Sequence, residues 1–186
     1  MTWYLWICII FFSGLFAIKA AYVFSTVLVL GRTKGALFVS TSRVRINTLL
    51  DAVPMQAGQR FIDLGCGDGR VLRRARKRYN VQATGYELNP LAYLKARLLC
   101  FGRTGVRIRW QDFRGADLSQ ADVVFCYLFP DLLQELAGVF MAKLKPGAVL
   151  VSCNFDLPGY TPWKVLRPGG PLDNDPIYIY RQSTAV

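Results

Sequence analysis

The stretch FIDLGCGDGR, residues 61 to 70, constrains the fold of this chain more than any other segment. Phe61 to Leu64 reads as a short buried strand, Gly65, Gly67 and Gly69 as a tight turn, and Val71 onward as a helix, so the segment opens a βαβ unit. Such a turn lets a ligand approach bare backbone. A dinucleotide fingerprint is spaced G-x-G-x-x-G and seats a pyrophosphate at the helix N-terminus. Here the spacing is G-x-G-x-G, with Asp63 two residues before the first glycine and Asp68 inside the loop. Carboxylates in those places suit an ammonium-bearing ligand better than a pyrophosphate. The pattern favours S-adenosyl-L-methionine, a sulfonium without phosphate, over a nicotinamide dinucleotide. Cys66, between the first two glycines, belongs to the same candidate loop.

The residues downstream extend this reading. Glu87 follows the apolar and small run Val81 to Tyr86, which places its carboxylate at the C-terminal end of a second strand, where it can accept both hydroxyls of a ribose. Leu88 adjoins it. Asp112, after a third strand candidate Val106 to Trp110, is placed to accept an adenine amino group, with Phe113 flanking the ring.

The apolar excess of the chain is local. Residues 3 to 30 contain a single charge, Lys19, and a transmembrane helix needs about 20 apolar residues to cross a core of about 30 Å. One tilted span fits better than two. No Lys or Arg precedes the run, which argues against a cleaved signal peptide. Trp3, Tyr4 and Trp6 at one end, and Arg32, Lys34, Arg43 and Arg45 beyond the other, give an aromatic belt and a positive-inside bias. The expectation is a single-pass membrane protein whose catalytic domain faces the cytosol, in the inner membrane if the source is bacterial; an apolar helix docked on the soluble domain is the alternative reading of the first 30 residues. Residues 3–30 would contact membrane lipid, with an anchor and basic connector over 1–34 and a catalytic domain over 35–186.

Net charge is +11, from 23 basic and 12 acidic residues. The densest basic run is Arg70, Arg73, Arg74, Arg76, Lys77 and Arg78 on the helix after the glycine loop, opposite an apolar face of Val71, Leu72 and Ala75. A solvated face is the simplest reading, and contact with anionic headgroups is natural for a tethered domain. No aromatic-interleaved basic motif points to nucleic acid. The five cysteines include no CxxC pair, so neither a disulfide framework nor a metal site is expected. The chain contains no histidine, which excludes imidazole bases and His-ligated metals.

Strand and helix candidates alternate from Arg60 to Asn154. They are strands at 60–64, 81–86, 106–110, 122–127 and 148–154, and helices at 69–79, 90–101 and 131–144. An amphipathic helix capped by Thr41 or Ser42 precedes them. This is the signature of an α/β Rossmann-like, doubly wound, mostly parallel sheet. Pro162 to Arg167 and Ile177 to Gln182 read as a closing antiparallel hairpin.

With these pieces in place, the chain resembles the membrane-associated seven-β-strand protein-lysine methyltransferases, the family containing the adenine nucleotide translocase and ATP synthase c-subunit lysine methyltransferases. The marks are FVSTS at 38–42, DLGCGDGR at 63–70, GYELNP at 85–90 and LKPGAVLVSCNFDLPGY at 144–160. The resemblance implies that Gly65, Gly67 and Gly69 form the cofactor loop, Glu87 accepts the ribose and Asp112 with Phe113 forms the adenine pocket. Thr41 and Ser42 would lie over the cofactor. Tyr127-Leu128-Phe129-Pro130 stands where many amino-group methyltransferases carry an Asn- or Asp-Pro-Pro-Tyr motif. Its departure from that motif points away from adenine or glutamine-amide acceptors. Tyr127, Phe129 and Pro130 are the candidate catalytic residues, since aromatics there would desolvate an ammonium and lower its pKa. Their faces would hold methylated cations. The expected acceptor is a lysine of a protein in or at the membrane. Methylation of a lipid or lipophilic small molecule, and a cofactor-binding module without turnover, stay open.

Overall fold

The computed structural model describes residues 2–30, 41–169 and 174–183. The chain separates into two compact units, Met1–Leu37 and Phe38–Val186. The first holds helix α1, Thr2–Leu30, of which Trp3–Val27 is long and apolar enough to cross a membrane, with a mean hydropathy of 2.2. Twenty-five residues at about 1.5 Å each exceed a hydrocarbon core of about 30 Å. The connector expected over Gly31–Gly35, residues 38–40 of the FVSTS segment, and the expected domain boundary at 34/35 lie outside the described residues.

The second unit runs α2 (Arg43–Ala52), β1 (Arg60–Leu64), α3 (Arg70–Tyr79), β2 (Gln82–Glu87), α4 (Pro90–Leu99) and β3 (Val106–Trp110). It continues with a 3-10 turn (Phe113–Gly115), β4 (Val123–Cys126), α5 (Pro130–Lys143), β5 (Val149–Cys153), β6 (Lys164–Leu166) and β7 (Ile177–Arg181). The strands form one seven-stranded sheet in the order β3-β2-β1-β4-β5-β7-β6. β1 to β5 are parallel, and β7 is antiparallel to both β5 and β6. The α/β doubly wound architecture is therefore present, closed by the expected hairpin.

Sequence explains most of these elements. β4 is the unbroken apolar run Val-Val-Phe-Cys, buried throughout, as a central strand covered on both faces requires. Ser42 caps α2 by accepting from the Arg45 N–H at 3.1 Å. Asn89 caps α4 by accepting from Leu91 and Ala92, with Pro90 at the first helical position. α3 buries Val71, Leu72 and Ala75 and turns its basic residues outward.

Two details differ from expectation. Gly69 is not helical: at φ +72° it is the left-handed residue before α3. α4 stops at Leu99, two residues short of Phe101, because the chain turns there and Gly102 takes φ +70°. The connection from β3 to β4 contains only a 3-10 turn, in keeping with the lack of a helix candidate between residues 110 and 122.

Candidate active site

The order of the sheet reverses between β1 and β4, and ligands of open α/β sheets bind beyond the strand ends at such a switch point. Leu64 of β1 lies level with Cys126 of β4. The next residues, Gly65 and Tyr127, therefore leave the sheet side by side. A side chain at Gly65 would meet Leu128 at 3.9 Å, so the glycine loop and the Tyr127–Pro130 segment share one rim.

The loop is tied to β2 by its backbone. Gly65 and Cys66 both donate to the Tyr86 carbonyl, at 3.0 and 2.9 Å. Glu87 completes the attachment: Oε2 accepts from the Gly67 N–H and Oε1 from the Asn89 N–H, each at 2.8 Å. Gly65, Gly67 and Gly69 all have positive φ, which keeps side chains out of the turn at little steric cost. Cys66 offers only backbone here, because its thiol packs in the core. Gly85 makes that packing possible, since a Cβ on it would stand 2.5 Å from Leu72 Cδ1 and 2.6 Å from Cys66 Sγ.

Two carboxyl groups at the loop are perturbed upward. Asp63, 1% exposed at the end of β1, lies well above the ordinary carboxylate range because burial disfavours its anion, reinforced by the charges of Glu87 and Asp68. Its Oδ2 is buried without a hydrogen-bond partner. Burial also raises Glu87, against the backbone N–H bonds that favour its charge. Asp68 behaves otherwise. Burial pushes it up, but hydrogen bonds from Arg70 and the Arg70 charge outweigh this and hold it low. Arg70 grips both its oxygens at 2.9 Å. Asp68, expected to suit an ammonium-bearing ligand, is thus already paired with Arg70, whereas Asp63 Oδ2 has no partner.

The remaining candidates line the surroundings. Arg70 donates to the Thr41 carbonyl at 3.4 Å, linking the segment before α2 to the end of the glycine loop, while the Ser42 hydroxyl serves as the α2 cap. Asp112 caps the 3-10 turn through the Arg114 N–H and pairs with the Arg114 side chain at 3.1 Å. Phe113 meets Phe140 edge-on. Trp110 donates its indole N–H to the Leu88 carbonyl at 3.0 Å and stacks on Tyr93. Phe129 stacks on Phe155 with centroids 6.3 Å apart, and Pro130 begins α5.

The residues suit S-adenosyl-L-methionine. Asp63 presents an unpartnered buried acceptor, Glu87 a carboxylate with further lone pairs, and the loop a bare backbone. The sequence model of the ANTKMT methyltransferase domain matches residues 63–164, which span the glycine loop, β2, β4, α5 and β5. The chain belongs to this methyltransferase family. A protein-lysine N-methyltransferase of Saccharolobus islandicus is 30% identical over 148 residues, covering 77% of this chain and 91% of the relative. The mouse adenine nucleotide translocase lysine N-methyltransferase is 33% identical over 136 residues, but this ANTKMT-family chain covers only 58% of it. Among solved structures, an RNA methyltransferase of Salinibacter ruber bound to S-adenosyl-L-homocysteine superposes with a TM-score of 0.72 at 28% identity, covering 80% of this chain and 96% of that one. The ANTKMT-family chain is thus an S-adenosylmethionine-dependent methyltransferase.

Two side chains at the rim of this ANTKMT-family enzyme escaped the sequence reading as site residues. Arg45, 4% exposed, donates to the Tyr127 hydroxyl at 3.3 Å and to Asp175 Oδ2 at 2.7 Å. Its guanidinium also lies 5.5 Å from the Tyr127 ring centroid. Burial raises the Tyr127 phenol, and the Arg45 charge only partly opposes it. A faint signal existed for Arg45, which stands one turn before Leu49 on the buried face of α2. None existed for Asp175, 130 residues away.

Proposed function

We propose that the chain is a protein-lysine N-methyltransferase whose acceptor belongs to a protein in or at a membrane. The observation that carries this reading is the common rim of the glycine loop and the Tyr127–Pro130 segment, in a chain whose relative over nearly its full length is named a protein-lysine N-methyltransferase. In this reading Gly65, Cys66, Gly67 and Gly69 give the cofactor backbone. Asp63 holds its ammonium, Glu87 beside Leu88 its ribose, and Asp112 with Phe113 its adenine. Thr41 and Ser42 lie over it.

The bound cofactor supplies a methyl group on a positive sulfur, already a good leaving group. The chain's own task is to deliver a neutral amine in line, and positioning of that kind contributes about 7–11 kcal/mol. Tyr127, Phe129 and Pro130 form an apolar approach that disfavours the ammonium form of the incoming lysine. Arg45, itself paired with Asp175, holds Tyr127. Its presence against the Tyr127 ring leaves Phe129, stacked on Phe155, as the face for a methylated product cation.

Helix α1 is read as a single span, with the catalytic unit in the cytosol, because the basic residues Arg32, Lys34 and Arg43 follow it closely. Tethering then raises the concentration of membrane acceptors at the site. The test is to incubate the detergent-solubilised chain with radiolabelled cofactor and a membrane extract, then fractionate protein, lipid and RNA. Label in protein, assigned to lysine by mass spectrometry, supports the reading. Label confined to the organic phase or to RNA overturns it.

A further inference from the structure

Among the described residues, nothing covers the outer face of α4. Leu94 and Leu98, one helical turn apart on α4, and Phe101 in the turn that follows are 57%, 76% and 87% exposed. Soluble surfaces seldom collect large apolar side chains into one stripe. Around it the charge has one sign: residues 88–110 include Lys95, Arg97, Arg103, Arg107 and Arg109 and no acidic residue. A groove of about 560 Å³ beside the stripe is lined by Arg97, Phe101, Arg103, Arg107 and Arg109 among others.

The basic field continues onto α3. A second groove, of about 740 Å³, joins Arg103 to Arg73, Arg74 and Lys77. Two carboxylates face this side, Asp68 and Asp51, and they are engaged by Arg70 and Arg78 respectively. Arg73, Arg74 and Arg76 donate to uncharged acceptors, namely the Asp68 carbonyl, Asn47, and the Asn80 and Val81 carbonyls.

We propose that α4 with the turn after it, flanked by the basic residues of α3 and β3, is a surface that rests on an anionic lipid bilayer, with Leu94, Leu98 and Phe101 entering the headgroup region. Apolar tips ringed by Lys and Arg are the composition of an interfacial helix, which buries its face about 5–10 Å into the headgroup and acyl boundary. Anionic lipid complements a face whose two carboxylates are both paired. Leucines at two of the three tips favour hydrocarbon over nucleic acid, because stacking on bases requires aromatic faces. The inference rests on reading α1 as a membrane span. It adds that the catalytic unit lies on the bilayer by one definite face.

The test places a polarity-sensitive fluorophore at Leu98→Cys, or at Val139→Cys on the exposed side of α5 as a reference, in a Cys8→Ser background that removes the exposed native thiol. The full chain is reconstituted in nanodiscs of neutral phosphatidylcholine or of phosphatidylcholine with phosphatidylserine, each carrying brominated lipid as quencher. Quenching at 98 is expected to exceed that at 139 by about threefold in anionic discs, as burial in the headgroup boundary requires. The difference should shrink in neutral discs and in about 0.5 M salt, where the Debye length falls to about 4 Å. Adding Phe101→Glu should abolish it while leaving S-adenosyl-L-homocysteine binding unchanged, which shows that the fold is kept. Equal quenching at 98 and 139 in discs that retain the chain overturns the surface and leaves the membrane reading of α1 intact. Failure of the chain to remain with any disc overturns both. Shielding of 98 only on adding RNA, or only at concentrations where the chain dimerises, also overturns the proposal.

Discussion

Replacing Glu87 by glutamine separates two roles that one carboxylate performs at the end of β2. Its two oxygens accept from Gly67 and Asn89, each at 2.8 Å. An amide has one acceptor oxygen, and its NH2 would face the other N–H donor, so at most one bond survives. A hydrogen bond to a charged group contributes about 1.5–3 kcal/mol. Against that loss stands the cost of holding the anion: burial outweighs the backbone N–H bonds and keeps Glu87 above its ordinary range. Glu87 also raises Asp63. Removing the charge relieves both penalties. The unliganded variant should therefore stay within about 1 kcal/mol of the native protein, roughly 2–4 °C in Tm for a domain of this size. Ligand binding has no such compensation. Loss of a charged acceptor for ribose hydroxyls should cost about 1.5–3 kcal/mol, a weakening of about tenfold to somewhat over a hundredfold in S-adenosyl-L-homocysteine affinity. Titration calorimetry on the detergent-solubilised full chain gives Kd, and thermal unfolding without ligand gives Tm. An unchanged Kd with a Tm lowered by more than about 8 °C would show that Glu87 only braces the loop, and would refute the ribose assignment.

Gly85→Ala should destabilise the catalytic unit by about 1–3 kcal/mol through overpacking against Leu72 and Cys66, and weaken cofactor binding by shifting the loop; chemical denaturation and calorimetry read the two effects, and a fully stable variant would mean that Cys66 yields freely. Tyr127→Ala should lower kcat by up to about a hundredfold with cofactor affinity retained, whereas Tyr127→Phe should keep most activity if the ring alone positions the acceptor; equal, large losses in both would point to the hydroxyl instead. Asp63 and Glu87 are raised in the unliganded fold by burial, so each contributes stability that is complete below the unfolded-state carboxylate range and is lost as pH rises through the raised folded value. A ligand ammonium favours the Asp63 anion, so affinity should rise with pH above the ordinary aspartate range and binding should release protons. Calorimetry in two buffers of different ionisation enthalpy measures that release, and none at any pH would sink the pairing.

Much of this protein was legible in its sequence because the signals are local. Pro90 behind Asn89, the unbroken apolar run of β4 and the amphipathic face of α3 each specify an element through neighbouring residues. The glycine spacing with Asp63 and Glu87 specified a loop and two strand ends in the same way. The long apolar helix α1 needed only length and composition. What escaped depends on residues that meet only in the fold. The pairing of both Asp68 oxygens with Arg70 is decided by side-chain geometry at the start of α3. The place of Gly85 opposite Cys66, and of Leu128 beside Gly65, follows from strand register. Arg45 joins Tyr127 and Asp175 across 82 and 130 residues of chain, and the apolar side chains on α4 are exposed because none of the described elements packs over them. Local periodicity records which face of an element is apolar; only the tertiary structure decides which apolar faces are covered and which charges find partners.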